Sequence, residues 1–256
     1  MSGRLEGKVA LVAGAGTWGE GIGNGQATAI QFAREGAQVL CLDRNRDAAE
    51  ATVAMIAGEG GEAVSYEADI SDSEQCKGAV AACVERFGGL DVLHNNAVRI
   101  APGTVVEADP DRWDLAFEVG VKGYFLMAKH AIPAMVERGG GSIVNVSSIY
   151  SIRPANSASY DALKGAVNSL TLHLARNHAK QNIRANALLL GYMDTALARP
   201  AWENDRIREL NLRQVPMRRF ADPFEGATVA AFLASEDASY VTGVLLPVDG
   251  GISVHA

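Results

Sequence analysis

Short apolar runs recur along the chain, separated by longer segments in which apolar and polar positions mix at helical spacing. The runs are Val9 to Ala13, Val39 to Leu42, Ala63 to Tyr66, Val92 to Leu93, Ile143 to Val146, Ile183 to Leu190 and Val244 to Val248. They are continuous in apolar character rather than alternating, which predicts strands covered by helices on both faces. Helix-length segments lie between them, among them Gln26 to Arg34, Ser73 to Phe87, Arg112 to Glu137, Ser159 to Ala179 and Pro223 to Ala234. Alternation of this kind over the whole length predicts an α/β fold built on one parallel, doubly wound sheet. Ligands of such sheets bind beyond the carboxyl ends of the strands. Chemistry is therefore expected at Gly14 onward, Asp43, Asp69, Asn95-Asn96, Ser147-Ser148 and Gly191 onward.

Composition narrows the classes. With 256 residues and 48% hydrophobic residues the chain can bury a full core, and no linker, repeat or low-complexity run divides it. Residues Met1 to Lys8 mix charge and glycine before a run of strand length, which fits neither a signal peptide nor a membrane span and leads us to expect a cytoplasmic protein. Cys41, Cys76 and Cys83 form no CxxC pair and no metal-ligand spacing, so small buried residues are expected rather than disulfides or a metal site. A net charge of −7 argues against a nucleic-acid partner, because phosphate binding needs a basic surface.

After the first strand come six glycines in twelve residues, from Gly14 to Gly25. A pyrophosphate needs close backbone approach and free N–H groups at a helix N-terminus, and glycines between a strand and a helix supply both. Asp43 ends the second strand, where a carboxylate can accept hydrogen bonds from both hydroxyls of an adenosine ribose and would repel a 2′-phosphate; NAD is favoured over NADP, although Arg44 beside it leaves the phosphorylated cofactor open. Asp69-Ile70 and Asn95-Asn96 are placed to meet the adenine, or serve as caps and turns. Further along, Tyr160 and Lys164 stand four residues apart and share a helix face, downstream of Ser147 and Ser148. Such a pair can act on one bound molecule, or be an ordinary amphipathic spacing with the lysine in solvent.

Together these elements resemble the classical short-chain dehydrogenase/reductase family over nearly the whole chain. The matching residues are the glycine-rich turn, Asp69-Ile70, Asn95-Asn96-Ala97, Val144 to Ser148, Tyr160 with Lys164, Gly191 to Thr195, Thr242-Gly243 and Val248 to Gly251. The resemblance implies a single Rossmann-type domain, a nicotinamide cofactor, hydride transfer between a secondary alcohol and a ketone, and a homotetramer. It implies Tyr160 as general acid/base, its anion favoured by Lys164 and the positive nicotinamide, and a serine that orients the substrate oxygen. Ser148 is the second serine of the pair but lies twelve residues before Tyr160, where the family has thirteen; Ser147 has that spacing. Strand position favours Ser148, because a loop deletion is easier to accommodate than a register slip. The implied cofactor set is Gly14, Gly23, Asn24, Asp43, Asp69, Ile70, Asn96, Tyr160, Lys164 and Thr195, the last holding the carboxamide.

The chain departs from the family pattern in four places. Counting back from Arg34 to Ala37 aligns the final GxG of the turn with Gly23-Asn24-Gly25 and leaves five extra residues, with Trp18 near the phosphates as a flap or packed on the surface. The competing match, Gly21-Ile22-Gly23, would lengthen the helix by two residues. Gly120 stands where the family has the asparagine that bends the helix and holds a water in a proton path; glycine keeps the carbonyl and can kink. Val98 and Leu190 replace a glycine and a proline beside the nicotinamide. The segment from Tyr192 to Val215, with Met193, Leu197, Trp202, Ile207 and Leu210, takes the substrate-covering position or is a surface helix, and Tyr150 and Arg153 are further pocket candidates, Arg153 for a carboxylate. Two other activities stay open: a cofactor-binding regulatory protein with weak turnover, and a carbon–carbon double-bond reductase. The long glycine turn points to the second of these, and the close Tyr160 to Lys164 spacing points away from it.

Overall fold

In a computed structural model describing residues 3–199 and 203–255, seven parallel strands form one sheet in the order β3-β2-β1-β4-β5-β6-β7. The strands are β1 Val9–Ala13, β2 Gln38–Asp43, β3 Ala63–Glu67, β4 Val92–Asn95, β5 Gly141–Ser148, β6 Ile183–Leu190 and β7 Leu245–Val248. Every apolar run noted above thus lies in or across a strand, and β2, β4 and β5 extend to carry Asp43, Asn95 and Ser148 at their carboxyl ends. The helices are α1 Asn24–Arg34, α2 Arg46–Gly58, α3 Ser73–Phe87, α4 Pro110–Phe117, α5 Gly123–Glu137, α6 Ala158–His178, α7 Asp205–Gln214 and α8 Pro223–Ala234.

Alternate residues of the central strands enter two different cores, which is why their sequences read as unbroken apolar runs. Leu11 and Leu93 face one core with α3, α5 and α6, contributing Cys76, Met127 and Val167. Val12 and Val144 face the other with α1 and α8, contributing Phe32 and Leu233. All three cysteines are buried free thiols, and burial pushes each up to about 12, so none is reactive at neutral pH.

Strand order reverses between β1 and β4, where Ala13 pairs Asn95 and Leu42 pairs Ala13. Further across, Ser148 pairs Leu190. This registration sets Gly14, Asp43, Asn96, Ser148 and Gly191 along one edge of the sheet, the crevice where open α/β sheets bind ligands.

The continuous helix expected over Arg112 to Glu137 is divided. A π-helical turn, Glu118–Lys122, joins α4 to α5 and is centred on buried Gly120. A Cβ at Gly120 would stand 3.1 Å from the Leu163 side chain of α6, so the π turn brings this backbone unusually close to the helix that carries Tyr160. The periodicity of side chains does not register such a turn, because one extra residue shifts the pattern by less than the width of an apolar face.

Candidate active site

The glycine-rich turn is built for close backbone contact. Gly14 adopts φ +81, and an added Cβ would come within 2.7 Å of the Ala97 amide nitrogen. A Cβ on Gly25 would lie 1.9 Å from the Gly14 carbonyl oxygen, so glycine there lets α1 start against β1. The helix begins at Asn24 with Gly23 as its N-cap, the register counted from Arg34. Gly23 offers no side-chain cap, whereas Asn45, Asp72, Asp109 and Asp222 cap α2, α3, α4 and α8 through their side chains. The first turn of α1 therefore presents amides that no side chain of its cap satisfies, in a cradle that any Cβ would fill. These residues fit a dinucleotide pyrophosphate.

Asp43 is 7% exposed; its Oδ2 accepts the Gly16 amide at 3.0 Å and its Oδ1 the Asn45 amide at 3.0 Å. These bonds fix the carboxylate beside the turn while each oxygen retains a lone pair. Other expected contacts are turned to structural use. The Asn96 side chain donates to the Gly14 carbonyl at 2.9 Å, the Asp69 carboxylate accepts from Ser71, and Ile70 is buried in the core. Thr195 is 6% exposed, with Oγ1 accepting the Ala198 amide.

Helix α6 buries Ser159, Leu163, Lys164, Val167 and Thr171, a stripe at helical spacing that aims Tyr160 and Lys164 at the end of β5. Lys164 is 1% exposed, the opposite of the solvent lysine of an ordinary amphipathic helix. Its Nζ donates to the Val146 carbonyl at 2.7 Å and lies 5.6 Å from the Tyr160 ring centre and 5.7 Å from that of Tyr124. No carboxylate lies within 4 Å of it among the described residues, and burial pushes its ammonium down to about 7.

Burial likewise pushes the Tyr160 phenol above the ordinary tyrosine range; a hydrogen bond with the Ser148 side chain opposes this and the Asp161 carboxylate adds to it. Desolvation thus outweighs the pull that Lys164 was expected to exert, and the protein's own groups hold the phenol protonated. The two serines part company in the strand. Ser147 donates to the Lys164 carbonyl at 3.2 Å, while Ser148 donates to Leu190 O and reaches Tyr160.

An aromatic cluster that spacing could not assemble stands beside these groups. Tyr150 packs edge-on to Tyr160, its hydroxyl donates to that of Tyr192 at 3.2 Å, and Tyr192 packs edge-on to Phe220. Tyr124, read only as part of a helix, is fully buried and donates to the same Val146 carbonyl as Lys164. Arg153 is anchored at the C-terminal turn: its Nη1 donates to the Ile252 and His255 carbonyls. In the segment after Gly191, Met193 is buried, α7 buries no residue, Ile207 and Leu210 are about half exposed, and Trp202 lies outside the described residues.

Residues 19–253 match the family described as enoyl-(acyl carrier protein) reductase. The chain is 40% identical over 255 residues to the 2,5-dichloro-2,5-cyclohexadiene-1,4-diol dehydrogenase LinX of Sphingobium indicum, covering 99% of each. A crystal structure from Burkholderia xenovorans, described as a short-chain dehydrogenase/reductase, superposes with TM-score 0.95 at 36% identity over 99% of both chains. A gluconate 5-dehydrogenase of Burkholderia cenocepacia, solved with NADP and tartrate, superposes with TM-score 0.92 at 31% identity, covering 99% of this chain and 98% of the other. The chain belongs to the classical short-chain dehydrogenase/reductase family of oxidoreductases, which bind nicotinamide cofactors.

Proposed function

We propose that the protein transfers a hydride between NAD(H) and a cyclic secondary alcohol or ketone. The observation that carries this is the convergence of Tyr160, buried Lys164 and Ser148 at the carboxyl end of β5. The nicotinamide supplies the hydride acceptor or donor. Tyr160 moves the proton at the substrate oxygen, Ser148 orients that oxygen, and Lys164 holds the ribose and favours the phenolate once a positive ring lies nearby. Thr195 holds the carboxamide, and Gly14, Gly23 and Asn24 cradle the pyrophosphate.

Asp43 at the end of β2 supports NAD; beside it, among the described residues, Arg46 pairs with Glu50, while Arg44 lies over Trp18 without an ion-pair partner. The NADP in the Burkholderia cenocepacia enzyme makes this a point to measure. The Tyr150, Tyr192 and Phe220 wall suits a flat ring, in keeping with the cyclic diol named for LinX. Half-exposed Phe125 on α5 and Leu172 on α6 support a homotetramer, and a cytoplasmic location remains part of the reading.

Cyclic, aromatic and aliphatic alcohols with NAD or NADP, followed by the absorbance of the reduced cofactor, test the proposal. Turnover of a cyclic alcohol with NAD is expected, with Tyr160→Phe at least a hundredfold slower. A loss under tenfold would remove Tyr160 as the acid/base group, and preference for NADP would mean that Asp43 does not face the ribose. Tight NAD binding without turnover on any alcohol would favour the regulatory reading. Reduction of an enoyl thioester but no ketone would favour the double-bond reductase suggested by the matched family's description.

A further inference from the structure

The five residues by which the glycine turn exceeds the family pattern form an anchored strap. Thr17 Oγ1 accepts the Gly23 amide at 2.8 Å, closing the base of the loop. At its far end the Ile22 carbonyl accepts the Ala196 amide at 3.2 Å, one residue from Thr195. Gly21 passes against Arg199, whose Nη1 would be 2.8 Å from a Cβ there, and Arg199 is itself paired with Asp194 at 3.2 Å. Gly19 and Gly21 both take positive φ, at 84° and 110°, so the strap turns where only glycine turns without strain.

Trp18 sits at the bend. It is 55% exposed: Arg44, whose guanidinium lies 5.3 Å from the ring centre, covers part of the indole and leaves open area that a purely structural indole would bury. Trp18 and Arg44 form one wall of a cavity of about 480 Å³, open to solvent and completed by Asn45, Arg46, Asp47 and Glu67. The cavity begins one residue beyond Asp43, on the side of the sheet away from Tyr160. A dinucleotide whose pyrophosphate lies in the Gly14 cradle and whose ribose meets Asp43 brings its base within reach of this cavity, whose Glu67 ends β3 just before Asp69 and Ile70.

We infer that Trp18, presented by the strap, stacks one face of its indole on the adenine of the bound dinucleotide, with Arg44 backing the other face. The inference rests on the cofactor reading above and adds to it a binding residue outside the glycine motif. An indole offers a π face to a base, and a guanidinium plane stacks equally well on it. The anchors at Thr17 and Ile22 hold the ring in place before the ligand arrives.

The test is calorimetric titration of the wild-type protein, Trp18→Ala and Trp18→Phe with NADH, NADPH and ADP-ribose, the last carrying the adenosine but no nicotinamide. Trp18→Ala is expected to raise Kd for NADH and for ADP-ribose alike, by about tenfold or more, because stacking of one base on an aromatic ring is worth that much. Trp18→Phe should restore most of the affinity, and the thermal midpoint of the ligand-free protein should be unchanged. Equal Kd values for wild type and Trp18→Ala, with the wild type binding NADH and ADP-ribose, would overturn the inference and leave the cofactor reading standing. A wild-type protein that bound neither NADH nor NADPH would remove the cofactor reading and the inference with it.

Discussion

Replacing Lys164 by Met should stabilise the protein while abolishing its activity. The ammonium is 1% exposed, has the Val146 carbonyl as its hydrogen-bond acceptor, and is pushed by burial from an ordinary 10.5 to about 7. A shift of about 3.5 pH units is worth about 5 kcal/mol at 1.36 kcal/mol per unit. The sign follows from proton counts: between pH 7 and 10.5 the unfolded chain holds the proton and the folded one does not, so stability rises with pH across that window. The full penalty is present at and below pH 7 and is gone above 10.5. Met fills nearly the same volume without charge. Loss of the bond to Val146, whose carbonyl keeps the Tyr124 hydroxyl at 3.4 Å, takes back about 1 kcal/mol. Lys164→Met should therefore exceed the wild type by about 3–4 kcal/mol at pH 7, the gap closing by about 1.4 kcal/mol per unit toward pH 10. Urea titrations followed by circular dichroism at pH 7, 8 and 9 measure this, with reduced-cofactor absorbance as the activity check. A variant no more stable than wild type at pH 7, or a gap that does not change with pH, would refute the reasoning and mean that the charge is compensated inside the fold.

Other substitutions probe the remaining parts of the site. Ser148→Ala should lower kcat by about 10²-fold through loss of a donor to the reacting oxygen, while Ser147→Ala, whose hydroxyl meets only the Lys164 carbonyl, should change kcat less than tenfold; initial-rate kinetics of both would separate them. Gly25→Ala must displace the Gly14 carbonyl or α1, and should cost roughly 1–3 kcal/mol in thermal unfolding and weaken NADH binding in the same protein. His94, fully buried on β4 with neither ring nitrogen hydrogen-bonded, is pushed by burial to about 3. The unfolded chain takes up that proton first as pH falls, so wild-type stability should drop from pH 6.5 toward 3. His94→Val should be more stable at pH 7 by about 1–3 kcal/mol and should lose that part of the acid slope, as denaturation at pH 4.5 and 7 would show.

The apolar runs alone determined the seven strands and their parallel, two-sided packing, because a strand buried on both faces has no polar alternation to disguise it. They also placed Asp43 and the serines at carboxyl ends. The glycine register was countable from Arg34 because a helix cannot gain two residues without moving its end relative to the next strand. What the sequence could not carry was burial and aim. Nothing in a four-residue spacing says that Lys164 is desolvated enough to fall to about 7, or that the same burial lifts Tyr160 against it. Both follow from how closely α6 packs on the end of β5. Ser147 and Ser148 point in opposite directions on the strand; strand position favoured Ser148 and spacing favoured Ser147, and the folded sheet turns Ser148 toward Tyr160 and Ser147 to the Lys164 carbonyl. Tyr150 and the segment opened by Tyr192 were expected at the pocket, but the chain of contacts from Tyr160 through Tyr150 and Tyr192 to Phe220, and the bonds of Arg153 to the Ile252 and His255 carbonyls, join segments far apart in the chain. Contacts of that kind are made by tertiary closure alone, since no local pattern records which distant loops the sheet edge brings together.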